Sequence, residues 1–179
     1  MHGMQPPSIS PRLDAHSRAG SRGFTAIELM VTVAIMAILT TLAAPSFTGL
    51  MERWRVRQAS EGLESTIYYA RSEAIKRGGD IRIDANASGW SNGWTVNHVV
   101  GGTNTALQTV TVPANTTVSL DSNKTTISVD RWGMLSPGAT PAPAARLDFT
   151  IQASAANTAH LCIAAGGRIQ QTQGSTACP

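Results

Sequence analysis

Residues 22–28 read Arg22-Gly23-Phe24-Thr25-Ala26-Ile27-Glu28, a short stretch that places a glycine and a carboxylate just before an apolar segment. The residues that follow it, 29–47, are almost entirely apolar. A helix of roughly 20 apolar residues is long enough to cross the hydrocarbon core of a bilayer. The sequence therefore predicts a transmembrane helix that carries one carboxylate, Glu28, close to its start.

Glu28 is a costly residue in such a helix. A carboxylate at the centre of a membrane helix costs on the order of 2.5–3.5 kcal/mol on insertion scales, and less near the interface. Two interpretations follow from this cost. The side chain either reaches the solvated headgroup level or pairs with a cation.

The polar and basic leader, residues 1–23, stands before the apolar segment. A secretory signal peptide is instead cleaved after its apolar segment, which the mature protein loses. The order found here resembles the class III signal of type IV pilins and type II secretion pseudopilins. The residues that carry the resemblance are Gly23, Phe24, Thr25, Glu28, Leu29 and the apolar helix behind them.

This resemblance implies processing and assembly roles for the segment. A prepilin peptidase would cut between Gly23 and Phe24 and methylate the new amino terminus of Phe24. Glu28 would then pair with the α-amine of Phe24 in a neighbouring subunit, inside a fibre where the dielectric is low. The implied partners are other pilins or pseudopilins of the same fibre, the peptidase and the inner membrane.

Removal of the leader changes the charge and defines the segments of the mature chain. The full sequence has a formal net charge of +3, and the leader contains three arginines and one aspartate, so the mature chain has a net charge of +1. We predict four segments. They are the leader 1–23, the transmembrane and polymerisation helix 24–50, its amphipathic continuation 51–79, and a β-rich head 80–179.

Positive charges flank the apolar segment on both sides, so they do not decide its orientation. They are Arg12, Arg18 and Arg22 before the segment and Arg53, Arg55 and Arg57 after it. The resemblance implies a cytoplasmic leader and a periplasmic head. It describes a single-pass protein of the bacterial inner membrane that later enters a pilus or pseudopilus fibre.

A second helical pattern continues beyond the apolar segment. Its apolar residues recur at spacings of three and four. They are Val56, Ala59, Leu63, Ile67, Ala70 and Ala74. We expect Pro45 and Gly49 to interrupt the helix, Gly78-Gly79 to end it, and the apolar stripe to pack on the head.

The remainder of the chain shows short β-type runs separated by turn residues. The predicted strands are 81–84, 93–97, 106–112, 116–120, 125–130, 146–152, 159–164 and 167–170. Their spacing indicates an antiparallel sheet or two small packed sheets. The predicted fold class is α+β and pilin-like, with a long N-terminal helix packed on a C-terminal antiparallel β-sheet head.

Cys162 and Cys178 are the only cysteines of the chain. In the periplasm they would form a disulfide that closes a small terminal loop, worth about 3 kcal/mol by chain-entropy estimates. The alternative is two free buried thiols in a cytosolic protein. The sequence has neither a CxxC pair nor a histidine cluster, so we predict no zinc site, no other metal and no cofactor.

Two stretches, 88–96 and 127–135, indicate a particular group among the pilins and pseudopilins. Gly93-Trp94 opens an early strand, Gly133 lies in a turn after a central strand, and the last strand pair encloses Gly167-Arg168. This pattern resembles the GspH/FimT group of minor pilins and pseudopilins.

Three tryptophans of the head, Trp90, Trp94 and Trp132, invite two interpretations. Buried aromatic rings contribute large apolar areas, so we interpret all three as core or edge packing. The alternative is an aromatic platform for a ligand.

The C-terminal loop indicates a second candidate function, which is DNA binding. FimT-like minor pilins of naturally transformable bacteria bind DNA through a Gly-Arg-x-Arg element whose arginines neutralise phosphates. This chain has Gly167-Arg168-Ile169-Gln170, where an uncharged amide stands in place of the second arginine. Gly167 and Arg168 are thus candidate DNA contacts, although the mature net charge is low for a nucleic-acid binder. Arg168 is otherwise a solvated turn residue or a cation at a subunit contact.

Catalysis is not predicted. His98 and His160 are the only imidazoles of the mature chain, and their spacing fits neither a catalytic triad nor a metal site. Asp130 and Asp148 are interpreted as strand-end or turn aspartates rather than as a catalytic pair.

Three hypotheses remain. The first, which we favour, is an assembly subunit that primes or caps a type IV pilus or a type II secretion pseudopilus. The second is a pilus DNA receptor for natural transformation. The third is a membrane-tethered periplasmic domain that forms no polymer.

Overall fold

The computed structural model describes residues 23–140, 143–174 and 178, except for the side chains of residues 43–46. The chain divides into two compact units after Leu42. Helix α1 (Ala26–Arg77) has residues in both units. The sequence predicted an interruption at Pro45 and Gly49, but the backbone is assigned as helix through both residues.

The first unit contains the start of α1. Thr25 caps the helix, because the backbone N–H of Glu28 donates to Thr25 Oγ1 at 3.3 Å and that of Leu29 donates to the Thr25 carbonyl at 3.2 Å. Every side chain described between residues 23 and 42 is exposed, and most of them are apolar. Within the described chain no single helix combines the length and the apolar composition needed to cross a membrane. Ala26–Leu42 and Phe47–Arg77 meet both criteria when they are taken together as one broken span.

The second unit begins with the remainder of α1, whose predicted apolar stripe is confirmed. All six stripe residues are buried: Val56, Ala59, Leu63, Ile67, Ala70 and Ala74. The helix also ends where predicted. Gly78 has a φ of 82°, and the N–H of Gly79 donates to the carbonyl of Ala74 at 2.8 Å, which satisfies one of the last free carbonyls of the helix.

Nine strands follow in the described part of the head. In chain order they are β1 (Ile81–Ala85), β2 (Trp94–Val100), β3 (Thr103–Val110), β4 (Thr117–Leu120), β5 (Thr126–Val129), β6 (Leu135–Pro137), β7 (Leu147–Ser154), β8 (Asn157–Ile163) and β9 (Ile169–Gln173). They form a five-stranded sheet of order β3-β2-β1-β5-β6 and a four-stranded sheet of order β4-β7-β8-β9. Every pairing is antiparallel. The α+β, pilin-like fold class is therefore confirmed, in its two-sheet form.

All eight predicted strands are present with shifted ends, but β6 was not predicted. This strand has three residues, ends at Pro137, and pairs with β5 through Ser128 and Ser136. It is too short to show a period of two in the sequence. The last predicted strand is also shifted, because Gly167 and Arg168 form a turn and β9 starts at Ile169.

The core is one cluster of buried residues from α1 and from the inner faces of both sheets. Trp94 is part of it, and its indole N–H donates to Thr66 Oγ1 of α1 at 2.9 Å. Trp90 meets the ring of Phe149 edge-on at 5.1 Å. Packing was therefore predicted correctly for these two tryptophans and wrongly for Trp132, which is 74% exposed. Trp132 lies in the tight turn between β5 and β6, where Asp130 Oδ1 accepts its backbone N–H and no strand of the described chain covers its ring.

Candidate functional site

The predicted processing and assembly residues lie at the very start of the described chain. Phe24 is 80% exposed, and Glu28 is exposed one turn into α1. Among the described residues no cation or donor contacts the Glu28 carboxylate. Residues 1–22 of the predicted leader lie outside the described residues. The processing of Gly23 and Phe24 and the pairing of Glu28 remain predictions.

At the opposite end of α1, one arginine holds two turns from different sheets. Arg71 Nε donates to the carbonyl of Gly133 at 2.8 Å, and its Nη1 donates to the carbonyl of Gly167 at 3.5 Å. The two turns also bond to each other, since the N–H of Leu135 donates to the Ala165 carbonyl at 3.2 Å. A guanidinium can serve both carbonyls because its donors form a rigid planar fork. Arg71 therefore fixes the turn that presents Arg168.

Gly167 is required by this arrangement. Its φ is 81°, a left-handed value that residues with a Cβ rarely adopt, and a Cβ at this position would overlap the guanidinium of Arg71. The N–H of Gly167 donates to Ala164 at 2.7 Å, and the N–H of Ala164 donates to the Arg168 carbonyl at 2.9 Å. Gly167 thus ends a tight turn, and Arg168, which directly follows it, is exposed to solvent.

Arg168 shares a cleft of about 290 Å³ with Arg146, Cys162 and Gln170. Arg146 Nε donates to Asp148 Oδ1 at 2.7 Å, and this hydrogen bond raises the pKa of the Arg146 guanidinium above its usual value. No acidic side chain in the described residues pairs with Arg168. The structure therefore brings a second arginine, Arg146, to the side of Arg168 where the sequence has Gln170.

The disulfide between Cys162 and Cys178 closes the C-terminal segment beside this cleft. Cys162 lies opposite Gln170 in the β8–β9 pair, and the Cα atoms of the two cysteines are 5.6 Å apart. Asp148 lies close to both sulfurs. Sulfurs joined in a disulfide are not thiolates, so this group does not form a thiolate metal site.

A carboxylate near the start of the second unit, Glu52, was not recognised from the sequence. Glu52 Oε2 accepts hydrogen bonds from Ser154 Oγ at 2.6 Å and from Asn157 Nδ2 at 2.7 Å. The bond from Ser154, followed by that from Asn157, lowers the pKa of Glu52 below its ordinary value. Glu52 thereby attaches the β7–β8 turn to α1. Its partners lie about a hundred residues away in the chain, so no local pattern signals the contact.

The histidines do not converge with other reactive groups in the described residues. His160 Nδ1 lies 3.2 Å from Thr150 Oγ1 on the neighbouring strand, and His98 lies in β2 on the other sheet. Asp130 accepts the N–H groups of its own turn, whereas Asp148 pairs with Arg146. These partners fit structural roles in strands and turns.

A long N-terminal helix joined to an antiparallel two-sheet head, with an exposed apolar start, is the architecture of a pilin-like subunit. The chain belongs to the GspH family, described as type II transport protein GspH, which matches residues 59–167. The prokaryotic N-terminal methylation motif matches residues 18–44. The resemblance inferred from the sequence is thereby confirmed.

Relatives and solved structures agree with this assignment. Type II secretion system protein H of Xanthomonas campestris pv. campestris is 31% identical over 71 residues, which is 38% of this chain and 42% of that protein. The chain thus matches less than half the length of this curated relative. Two crystal forms of the Pseudomonas aeruginosa type IV minor pilin FimU superpose with TM-scores of 0.56 and 0.58, at 25% and 26% identity. They cover 68% and 70% of this chain, and the chain covers 96% and 94% of them.

Proposed function

We propose that this protein is a structural subunit, a minor pilin or pseudopilin, that enters a type IV pilus or a type II secretion pseudopilus and primes or caps it. The observation that carries the proposal is the first unit. It is a helix whose described side chains are all exposed and mostly apolar, with a single carboxylate near its start. Such a surface needs lipid or neighbouring helices around it.

Glu28 has a specific task in this proposal. In the bilayer it lies near the interface, where water solvates it at little cost. In the fibre, the α-amine of a neighbouring Phe24 becomes its partner, and the low dielectric between packed helices strengthens their attraction. Cleavage after Gly23 creates that amine. Processing and polymerisation are therefore coupled through one ion pair.

Mass spectrometry of the mature protein tests the processing step. We expect a chain that begins at an N-methylated Phe24. An intact leader, or cleavage beyond residue 47, would overturn the proposed processing.

Glu28→Ala tests the assembly step. We expect the variant to remain in the membrane but to fail to enter sheared fibres, because its amine partner loses the counter-charge. Glu64→Ala is a matched control, since Glu64 lies on the same helix and has no ion pair among the described residues. Normal assembly of Glu28→Ala would favour the membrane-tethered domain that forms no polymer.

The absence of catalytic function belongs to the same proposal. The family is structural, His160 bonds to the neighbouring strand, and Asp130 bonds to its own turn. We therefore propose no reaction and no cofactor for this chain.

A DNA receptor is the second candidate function, and one observation favours it. Arg146 lies in the same cleft as Arg168, so that two guanidiniums replace the two arginines of the Gly-Arg-x-Arg element. Both can contact phosphates. Against it stand the pairing of Arg146 with Asp148 and the low net charge of the mature chain.

Salt-dependent DNA binding by residues 51–179 tests this candidate. Removing one phosphate contact by Arg168→Ala reduces the slope of log affinity against log salt by about one. Lys76→Ala is the control, because Lys76 is an exposed cation outside the cleft. If the chain does not bind DNA at low salt, or if both variants weaken binding equally, the DNA receptor is excluded.

A further inference from the structure

A polar groove lies where α1 enters the head, away from the Arg168 cleft. It has a volume of about 580 Å³ and opens between α1 at Arg53 and Arg57 and the ends of β8 and β9. Gln171 and Gln173 of β9 line its opposite wall, and Asn157 also lines the groove. All of these residues belong to the second unit.

Two glutamines of β9 occupy positions opposite buried core residues. Gln171 pairs with Leu161, and Gln173 pairs with Ala159, both of which are buried in the core. Residues opposite each other in an antiparallel pair lie on the same face of the sheet. The two glutamines therefore lie on the core-facing side of the sheet, in the part that extends past α1. Neither glutamine amide has a hydrogen-bond partner among the described residues.

Both charged side chains that line the groove are arginines. Arg57 Nε donates to Glu61 at 2.9 Å, which orients its guanidinium and leaves its terminal nitrogens available. Arg53 Nε donates to the Gly49 carbonyl at 3.3 Å. No carboxylate of the described residues lines the groove, and the nearby Glu52 accepts two hydrogen bonds from the β7–β8 turn. Two guanidiniums facing amide donors form a site for a phosphate or carboxylate group.

Exposed apolar side chains on the neighbouring turns of α1 indicate which anion the groove binds. Phe47, Leu50 and Trp54 are all more than half exposed on the same part of α1. Phe47 ends the apolar segment, and α1 rises only roughly 9 Å from it to Arg53. Tryptophan beside arginine at the end of an apolar helix is typical of the membrane–water interface. A phosphate located there belongs to a lipid headgroup.

We propose that the groove binds the phosphate of an anionic phospholipid at the bilayer surface while the subunit resides in the membrane. Arg53 and Arg57 contact the phosphate, Gln171 and Gln173 contact its substituents, and Trp54 lies among the headgroups. The inference rests on the proposed function only for the membrane location of the chain. It needs neither cleavage nor a fibre.

Native mass spectrometry of the full chain tests this site. The chain is released from neutral detergent micelles that contain phosphatidylglycerol or, separately, phosphatidylcholine. We expect phosphatidylglycerol to be retained in preference to phosphatidylcholine. Arg53→Gln and Arg57→Gln should each weaken its retention about fivefold, the effect of one basic residue at an anionic membrane surface.

Arg55→Gln is the matched control. It removes the same charge from the same turn of α1, but Arg55 does not line the groove. Equal losses for all three variants would show diffuse attraction and overturn the site, as would equal retention of both lipids. Displacement of phosphatidylglycerol by inorganic phosphate or by an acidic peptide at similar concentration would instead assign the groove to a soluble anion or a protein partner.

Unchanged thermal unfolding of the variants would show that lost binding does not reflect lost folding. Because the assay is independent of assembly, a negative result leaves the Glu28 proposal intact. Normal fibre entry by Glu28→Ala likewise leaves the lipid site intact.

Discussion

Only glycine fits at position 167, in the turn that precedes Arg168. Replacement by alanine forces a left-handed φ on a residue with a Cβ and pushes that Cβ into Arg71. We expect Gly167→Ala to lower the free energy of unfolding by about 1–3 kcal/mol, as measured by chemical denaturation. Gly166→Ala is the control, because Gly166 has open space around it and no positive φ. Equal stability of the two variants would contradict the proposed contact.

The lowered pKa of Glu52 predicts that the stability of the protein depends on pH. Its pKa is lowered in the folded protein because Ser154 and Asn157 donate to the ionised carboxylate. A carboxylate with a lowered pKa stabilises the fold fully above its unfolded pKa, near 4.5, and this stabilisation is lost as the pH falls through the folded pKa. Glu52→Gln should therefore be less stable than the native protein at neutral pH, and the difference should shrink on acidification.

Thermal unfolding over a pH series measures this effect. Glu73 also has a lowered pKa, because Arg77 donates to it, but it is present in both proteins and cancels in the comparison. Glu64→Gln is the control, since it removes a carboxylate of the same helix that has no partner among the described residues. A constant gap between Glu52→Gln and the native protein at all pH values would argue against the charge-assisted bonds.

At the scale of elements, the disulfide secures the C-terminal segment to β8. It joins residues separated by 16 positions, a loop length for which chain entropy predicts about 3 kcal/mol of stabilisation. We expect reduction to lower the unfolding midpoint of the native protein to that of the Cys162→Ser/Cys178→Ser variant. The variant itself should be insensitive to reductant. A native protein whose midpoint is unaffected by reduction would refute this estimate.

Periodic elements were predictable because their signals are local. The stripe from Val56 to Ala74 marks the buried face of α1, and Gly78 marks its end, since each depends on neighbours within a few turns. The eight longer strands carry β-type runs of sufficient length. The strand β6 lacks such a run and is defined only by its pairing with β5.

The contacts that organise the candidate sites were not predictable in the same way. Arg71 bonds to carbonyls 62 and 96 residues away, and carbonyls carry no sequence information. Arg146 reaches Arg168 only because β7, β8 and β9 are neighbours in one sheet. Trp132 was misassigned because an aromatic residue in a tight turn has the same local pattern whether or not a strand covers it.

At the scale of the whole molecule, the exposed apolar helix determines how the chain behaves in solution. We expect the mature chain, residues 24–179, to associate in detergent-free buffer, because its first unit exposes mostly apolar side chains. Residues 51–179 lack the exposed apolar part of α1, so they should sediment as a monomer. Analytical ultracentrifugation distinguishes the two. A monomeric mature chain would show that its helix is shielded by the chain itself.

Two charged side chains that attach α1 to the head, Glu52 and Arg71, also have a mechanical role. Glu52 holds the β7–β8 turn, and Arg71 holds the turns at Gly133 and Gly167. The two residues are separated by roughly 28 Å along the helix. A tensile load along α1 is therefore shared between these two anchor points and the buried contacts that lie between them, which include the hydrogen bond from Trp94 to Thr66. The head separates from the helix only after all of these contacts have yielded.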